Sequence, residues 1–273
     1  MTSPTNSIVF VHGAWMTAAS WDNFIPPFAA AGFSAHVPTW PGLDGLSAAE
    51  INAAPPAGFG GLRIGTIVDH YADFIRSLPE PPILVGHSFG GLIVQLLLDR
   101  GLGAAGVAID PAPIGGVPAG LRALVSAFPI LARWNGWNRP YALSQREFAA
   151  KFANGAPAGQ QAAAYHSVAI PAPGRIFYQA AFMLGTWISP RRRSVPLLIT
   201  GGSRDRLVTS FMSRLAFRRQ RRSPARTDYR LFAGRSHFLT AEPGWEDVAD
   251  TVLRWIETVS GVRPTVPAFC RAA

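Results

Sequence analysis

Short apolar runs alternate with longer amphipathic segments along most of the chain. The runs occur at residues 8–11, 34–38, 83–85, 106–109, 195–200 and 228–232, and each has the length of a buried strand. Residues 18–31, 65–78, 89–100, 209–218 and 245–259 repeat apolar positions at helical spacing, with a kink predicted at Pro26 and Pro27. Residues 40–64, which contain Pro and Gly pairs, are predicted to form a loop. This alternation predicts an α/β fold, in which helices cover both faces of a parallel sheet of about six strands.

One long stretch interrupts the alternation. Residues 111–190 contain no clear strand but many aromatic side chains. We interpret this stretch as a helical lid, inserted after the fourth strand of a core that residues 1–110 and 191–260 form. Residues 261–273 contain two prolines and are predicted to be a loosely held tail.

Composition limits the class of protein. The 273 residues are 48% hydrophobic and 15% charged, which suits a domain with a sizeable core and an insertion. No apolar run approaches the roughly 20 residues of a membrane-spanning helix, and the first residues do not resemble a signal peptide. Cys270 is the only cysteine, so no disulfide can form within the chain. These features predict a soluble, cytoplasmic protein.

The positive charge comes almost entirely from arginine. The net charge is +9, Lys151 is the only lysine, and arginines cluster at residues 191–193 and 218–222. Such clusters suit an anion or nucleic-acid site, or a solvated surface. Because no nucleic-acid motif accompanies them, we favour the solvated surface and predict no nucleic-acid partner.

A candidate nucleophile lies between the third predicted strand and the helix that follows it. Residues 86–90 read Gly-His-Ser-Phe-Gly, which is the pattern Gly-x-Ser-x-Gly. A sharp turn from strand to helix would hold the hydroxyl of Ser88 exposed at its apex. The sequence therefore predicts that Ser88 is a nucleophile.

A serine nucleophile needs a base and an acid that orients the base. Of the six histidines, His237 follows the last predicted strand, at the same edge of the sheet as Ser88, and it is the predicted base. Asp205 follows the fifth strand and is the preferred acid. Asp110 directly follows the fourth strand and remains an alternative acid.

An oxyanion hole needs two backbone N–H donors. One is predicted from Phe89, at the start of the helix after Ser88, and the other from Ala14, in the loop after the first strand. His12, which begins this loop, is predicted to brace it rather than to take part in chemistry.

These motifs together resemble the α/β-hydrolase superfamily over about residues 7–260. The order Ser88, Asp205, His237 is the order of that fold. The start His-Gly-Ala-Trp at residues 12–15 is similar to the small-lid branch of methyl-ester hydrolases, hydroxynitrile lyases and carboxylesterases. Compared with larger members, the resemblance implies that two leading strands are absent, so we expect a six-stranded core.

The resemblance implies a serine hydrolase that cleaves an ester, lactone or thioester through an acyl-enzyme intermediate, with neither cofactor nor metal. The aromatic lid favours a small to medium apolar substrate. A lyase, a cofactor-free oxygenase or a ligand receptor that retains the triad remains an alternative on this scaffold. Lys151 is the only lysine available for lyase chemistry. Monomer and homodimer both remain open.

Overall fold

The computed structural model describes residues 5–260 and is built around one parallel sheet. Within that range the strands are β1 (Ser7–Val11), β2 (Ser34–His36), β3 (Ile83–His87), β4 (Ala105–Ile109), β5 (Pro140–Tyr141), β6 (Ala172–Pro173), β7 (Leu197–Gly202) and β8 (Thr227–Phe232). Six of them form the sheet in the order β2-β1-β3-β4-β7-β8, and every neighbouring pair is parallel. The predicted six-stranded α/β fold is confirmed.

Helices follow most strands. They are α1 (Ile25–Ala30), α2 (Ala48–Ala53), α3 (Ile64–Ser77), α4 (Phe89–Asp99), α5 (Leu121–Leu131), α6 (Gln145–Glu147), α7 (Ala158–Val168), α8 (Gly174–Ala181), α9 (Ser210–Gln220) and α10 (Trp245–Ser260). Short 3-10 turns lie at Ala18–Trp21, Phe59–Gly61, Gly136–Asn138 and Pro190–Arg192, and a π turn lies at Phe148–Phe152. No helix in residues 5–260 is long and apolar enough to cross a membrane.

The sheet separates two apolar clusters because successive strand residues point to opposite faces. In β1, Val9 and Val11 belong to the cluster that includes residues of α3, α4 and α9, whereas Ile8 and Phe10 belong to the cluster that includes residues of α1 and α10. All five residues of β3 are buried. Strands buried on both faces are continuous apolar runs, and this pattern made them recognisable in the sequence.

Two predicted elements before β3 were wrong. The helix predicted at 18–31 is a 3-10 turn followed by α1, which starts at Ile25 because Pro26 and Pro27 lack the N–H groups that a helix interior needs. The loop predicted at 40–64 contains α2, whose start is fixed by a capping box between Ser47 and Glu50.

Residues 111–196 connect β4 to β7 and lie outside the sheet order. They form the helices α5 to α8, in agreement with the predicted helical character of this stretch. The expectation that 111–190 hold no strand was wrong, because Pro140–Tyr141 and Ala172–Pro173 pair as a two-residue antiparallel ribbon. Each of these strands has only two residues, and one of the two is a proline, so neither shows the alternation that identifies a strand in a sequence. The predicted tail at 261–273 lies outside the described residues.

Arg193 departs from the solvated surface predicted for the first arginine cluster. It is 2% exposed, while Arg191 and Arg192 are exposed. Its guanidinium donates to the carbonyls of Val195 and Gln220 and also contacts Thr227. Burial lowers its pKa to about 10. The side chain therefore joins the end of the 111–196 segment to α9 and β8.

We expect Arg193→Ala to reduce the free energy of unfolding by about 2–4 kcal/mol, because it leaves several buried carbonyls without a donor. Arg192→Ala is the matched control, since this exposed neighbour should change stability by less than about 0.5 kcal/mol. Urea denaturation of both variants measures the difference. Equal losses would contradict a structural role for the buried guanidinium.

Candidate active site

Ser88 lies on a strained turn between β3 and α4. Its φ of 57° and ψ of −122° are rare for a residue with a side chain. The turn depends on two close backbone approaches. A Cβ on Gly86 would lie 2.2 Å from the carbonyl oxygen of Gly90, and a Cβ on Gly90 would lie 2.0 Å from that of Val11. The Gly-x-Ser-x-Gly pattern therefore reflects contacts that a larger side chain would prevent.

The structure brings Ser88, His237 and Asp205 into one hydrogen-bonded chain. Oγ of Ser88 lies 2.9 Å from Nε2 of His237. Nδ1 of His237 donates to Oδ2 of Asp205 at 2.6 Å, and this bond leaves Nε2 free to accept the serine proton. The three side chains are 6%, 1% and 3% exposed, respectively. Their arrangement suits proton transfer from the hydroxyl to the imidazole.

Backbone groups and a buried glutamate hold Asp205 and the loop of His237 in place. Oδ1 of Asp205 accepts from the N–H groups of Leu207 and Val208, at 2.7 and 2.8 Å. Glu242 accepts from the N–H of Ser236 at 2.9 Å and also contacts its hydroxyl, which fixes the loop that carries His237. Sequence reasoning missed Glu242, because a glutamate six residues after Ser236 matches no motif.

Asp110, the alternative acid, lies beside Asp205 rather than on His237. It is fully buried and accepts from the hydroxyl of Thr200 at 3.0 Å and from the N–H of Gly202 at 2.8 Å. Burial, and next the proximity of Asp205, raise the pKa of Asp110 well above its usual range. Asp110, Asp205 and His237 each have one atom that could bind a metal ion, and these three atoms lie within 4.8 Å of one another. Among residues 5–260, this is the one cluster with such spacing.

The loop after β1 approaches the nucleophile closely. A Cβ on Gly13 would lie 2.9 Å from the Cβ of Ser88, so glycine is needed there. Ala14 follows directly and is buried. Within residues 5–260, the N–H groups of Ala14 and Phe89 donate to no protein acceptor. Both are therefore free to bind an oxygen of a ligand.

His12 braces this loop in the structure. Nδ1 donates to the carbonyl of Gly13 at 3.0 Å, and Nε2 accepts from the N–H of Trp40 at 3.2 Å. Burial lowers the pKa of His12 to about 4, so the imidazole is neutral at neutral pH. A second neutral imidazole, His87, donates to the carbonyl of His237 at 2.9 Å and packs on its ring at 4.7 Å. Sequence reasoning did not select His87, yet this side chain contacts His237, the predicted base.

The hydroxyl of Ser88 faces a cavity of about 80 Å³ with apolar walls. Trp15 and Phe177 pack together at 4.6 Å on one side. Alanines of α5 and α8 and Met212 of α9 supply much of the remaining wall. Besides Ser88 and His237, Ser126 is the one polar side chain among the described residues that line it. This cavity accommodates an apolar group next to the nucleophile.

The fold and this constellation agree with a comparison against known families. The profile of the Alpha/beta hydrolase family matches residues 8–251, and the chain belongs to this family. A search of curated protein sequences found no significant match.

Solved structures share the fold at low sequence identity. A methylesterase from Arabidopsis superposes with a TM-score of 0.69 at 17% identity, covering 92% of this chain and 99% of that one. A monoacylglycerol lipase from Paleococcus ferrophilus gives 0.68 at 19% identity, covering 94% and 96%. Tomato methylketone synthase I, solved with 2-tridecanone, gives 0.67 at 17% identity, covering 93% and 99%. Enzymes of different activities thus share this architecture.

The buried imidazole of His12 predicts a loss of stability in acid. From the unfolded value of about 6.5 down to the folded value of about 4, the unfolded chain binds a proton that the folded protein excludes. The free energy of unfolding should therefore fall by about 2–3 kcal/mol as pH falls through this window. His12→Gln should remove this part of the loss, which urea denaturation at the two ends of the window measures. An equal loss in both proteins would contradict the prediction.

Proposed function

We propose that this protein is a serine hydrolase that cleaves an ester-type bond of a small to medium apolar substrate. The observation that carries the proposal is the chain of hydrogen bonds from Ser88 through His237 to Asp205, at 2.9 and 2.6 Å. A serine hydroxyl with a neutral imidazole on one side and a carboxylate behind it is an activated nucleophile. Membership of the Alpha/beta hydrolase family supports the same chemistry.

In the proposed first step, Oγ of Ser88 attacks the substrate carbonyl carbon while Nε2 of His237 takes the hydroxyl proton. The N–H groups of Ala14 and Phe89 stabilise the negative oxygen of the tetrahedral intermediate. His237 then gives the proton to the leaving alcohol or thiol, and the acyl group remains on Ser88. Asp205 keeps the imidazole oriented and stabilises its cation.

In the second step, a water molecule attacks the acyl carbonyl and gives a proton to His237. The ester bond to Ser88 breaks, and the serine oxygen recovers that proton as the acid product leaves. Both steps use only groups of this chain and water.

The cavity supports the preference for an apolar substrate. Its walls offer aromatic and alanine side chains and no charged group, so a charged acyl chain would lose its hydration without a partner. We also propose that residues 111–190 form a lid, because α5 and α8 supply much of the wall that faces Ser88. In this proposal the core comprises residues 1–110 and 191–260.

The lyase alternative depends on Lys151, the only lysine. Its ammonium pairs with Glu147 at 2.9 Å, and the side chain does not line the cavity beside Ser88. No feature of the site therefore favours lyase chemistry over hydrolysis. A receptor that retains the triad would differ by slow turnover and tight binding of its product.

A fluorophosphonate probe tests the nucleophile, since it forms a covalent bond only with an activated serine. We expect labelling of Ser88 in the native protein and none in Ser88→Ala. Hydrolysis of p-nitrophenyl esters should fall by at least about 10³-fold in the same variant. His237→Ala should lose activity similarly, while Ser126→Ala, a change in the cavity wall outside the triad, keeps the probe reaction. Native activity in Ser88→Ala, or labelling elsewhere, would contradict the proposal.

A series of p-nitrophenyl esters with increasing acyl length then tests the cavity. We expect kcat/KM to rise with the first methylene groups and to fall once the chain exceeds the space beside Ser88. Ala127→Leu should move the optimum to a shorter chain, because it fills part of the wall. An optimum that does not move would show that the acyl group binds elsewhere.

A further inference from the structure

Two buried carboxylates occupy the space behind His237, although the reaction requires only one. Asp110 and Asp205 are 0% and 3% exposed, and their nearest oxygens lie within 4.8 Å. In residues 5–260, no lysine or arginine forms an ion pair with either. Two negative charges so close in a dry interior repel strongly, so the pair holds one charge and one proton.

The hydrogen bonds decide which carboxylate bears the charge. Asp205 accepts from two backbone N–H groups and from the imidazole of His237. Asp110 accepts from one N–H and one hydroxyl. Three donors, one of which becomes a cation during the reaction, stabilise an anion on Asp205 better than two neutral donors stabilise one on Asp110.

Resting on the proposed function, we infer that Asp110 is a positioning residue that donates a hydrogen bond from its carboxylic acid to Asp205. The bond keeps the carboxylate of Asp205 aligned with Nδ1 of His237. It also prevents a second negative charge from forming beside the base. The shift of the Asp110 pKa well above its usual range agrees with this assignment.

Replacing Asp110 with asparagine tests the inference. The amide keeps a carbonyl oxygen for the N–H of Gly202, which donates to Oδ2 of Asp110, and its NH₂ group can donate to Asp205 and to the hydroxyl of Thr200. We expect Asp110→Asn to keep kcat for a p-nitrophenyl ester within about threefold of the native value. Asp110→Ala, which has neither group, should lower kcat by about 10- to 100-fold with a smaller change in KM. Asp205→Asn should lower kcat by about 10⁴-fold, because the base then adopts the wrong tautomer.

The pH profile distinguishes a neutral Asp110 from an ionised one. The titratable groups around Asp110 are Asp205, His237 and, from β8, Tyr229, while His87 lies behind His237. The acid limb of kcat/KM follows protonation of the base in the free enzyme. If Asp110 is already neutral, Asp110→Asn leaves the midpoint of this limb unchanged.

If Asp110 is ionised instead, the same change removes a negative charge and lowers the midpoint by about one pH unit or more, which would overturn the inference. A loss in Asp110→Asn as large as that in Asp110→Ala would also overturn it. Should Asp110→Ala fail to fold, the profile of Asp110→Asn alone decides. A native protein that neither hydrolyses esters nor reacts with the fluorophosphonate probe would instead refute the proposed function.

A second, independent observation concerns the distribution of charge and exposed apolar surface. Residues 111–196 contain eight arginines and one lysine but only one acidic residue, Glu147, so this segment carries a net +8 of the chain's +9. The same segment holds most of the large apolar side chains that are more than half exposed in residues 5–260: Leu121, Val125, Phe128, Trp134, Phe182, Leu184 and Trp187.

Several of these apolar side chains lie on or next to α5 and α8, the two helices whose other residues line the cavity. Leu121, Val125 and Phe128 follow the spacing of one face of α5, and Leu124 beside them lines the cavity while 41% exposed. Phe182 directly follows Ala181, another lining residue. The exposed apolar side chains on α5 and after α8 are named the apolar rim, and they are Leu121, Leu124, Val125, Phe128, Phe182, Leu184 and Trp187.

We further propose that the apolar rim binds a lipid surface that contains anionic headgroups. Exposed aliphatic and aromatic side chains in an arginine-rich segment are the pattern of a segment that lies in the membrane interface. A second copy is disfavoured, because two copies of a segment with a net charge of +8 would repel each other.

Cosedimentation with lipid vesicles tests this proposal on the full chain. We expect at least about tenfold stronger binding to vesicles of phosphatidylcholine mixed with phosphatidylglycerol than to phosphatidylcholine alone, and weaker binding at high salt. The double change Val125→Ser and Phe128→Ser should abolish binding while turnover of a soluble ester persists, because neither side chain lines the cavity. Leu46→Ser, at an exposed leucine outside the segment, is the matched control.

Three results would overturn the lipid proposal. The first is absence of binding to any vesicle, and the second is equal binding by the double variant. The third is a dimer or a DNA complex, seen by analytical ultracentrifugation, that the double variant loses. Ester hydrolysis by the native protein is read separately, so failure here leaves the proposed function intact.

Discussion

The contact between the turn after β3 and the loop after β1 is the constraint on which the candidate site depends. Gly90 lies against the carbonyl of Val11, and Gly13 lies against Ser88, so closely that neither position has room for a Cβ. This contact sets the loop that carries Ala14 beside the turn that carries Ser88. The parallel sheet then brings the loops after β7 and β8 to the same edge, where Asp205 and His237 meet the serine. The geometry of the site thus depends mainly on backbone packing.

Much of this arrangement was predictable, because strands that are buried on both faces of a parallel sheet are continuous apolar runs in the sequence. Apolar runs located the six strands, and the residues of the candidate site follow three of them: Ser88 after β3, Asp205 after β7 and His237 after β8. The contacts that hold these residues in place were not predictable. His87 lies within the serine motif and Glu242 lies five residues after His237, but their contacts with the loop of His237 arise only in the folded chain. Arg193 is buried because acceptors from α9 and β8 surround it. Ser47 and Glu50 carried a local capping signal that the prolines and glycines around them concealed.

The segment between β4 and β7 was the least predictable part. Its helices pack on one another through apolar side chains, and they contact the loop after β1 through separate bonds, such as the one from the N–H of Thr17 to the carbonyl of Val168. No repeating pattern encodes such contacts. The same segment supplies most of the cavity wall and most of the net charge. In the proposed function, the reaction and the choice of substrate are therefore governed by different parts of the chain.

The buried guanidinium of Arg193 also has a consequence for the order in which the protein assembles. Its acceptors at Gln220 and Thr227 lie 27 and 34 residues further along the chain. During synthesis, Arg193 leaves the ribosome before Gln220 and Thr227, so its guanidinium lacks these acceptors until α9 and β8 have formed. A nascent chain that stops before β8 would contain Ser88 but neither His237 nor the acceptor at Thr227.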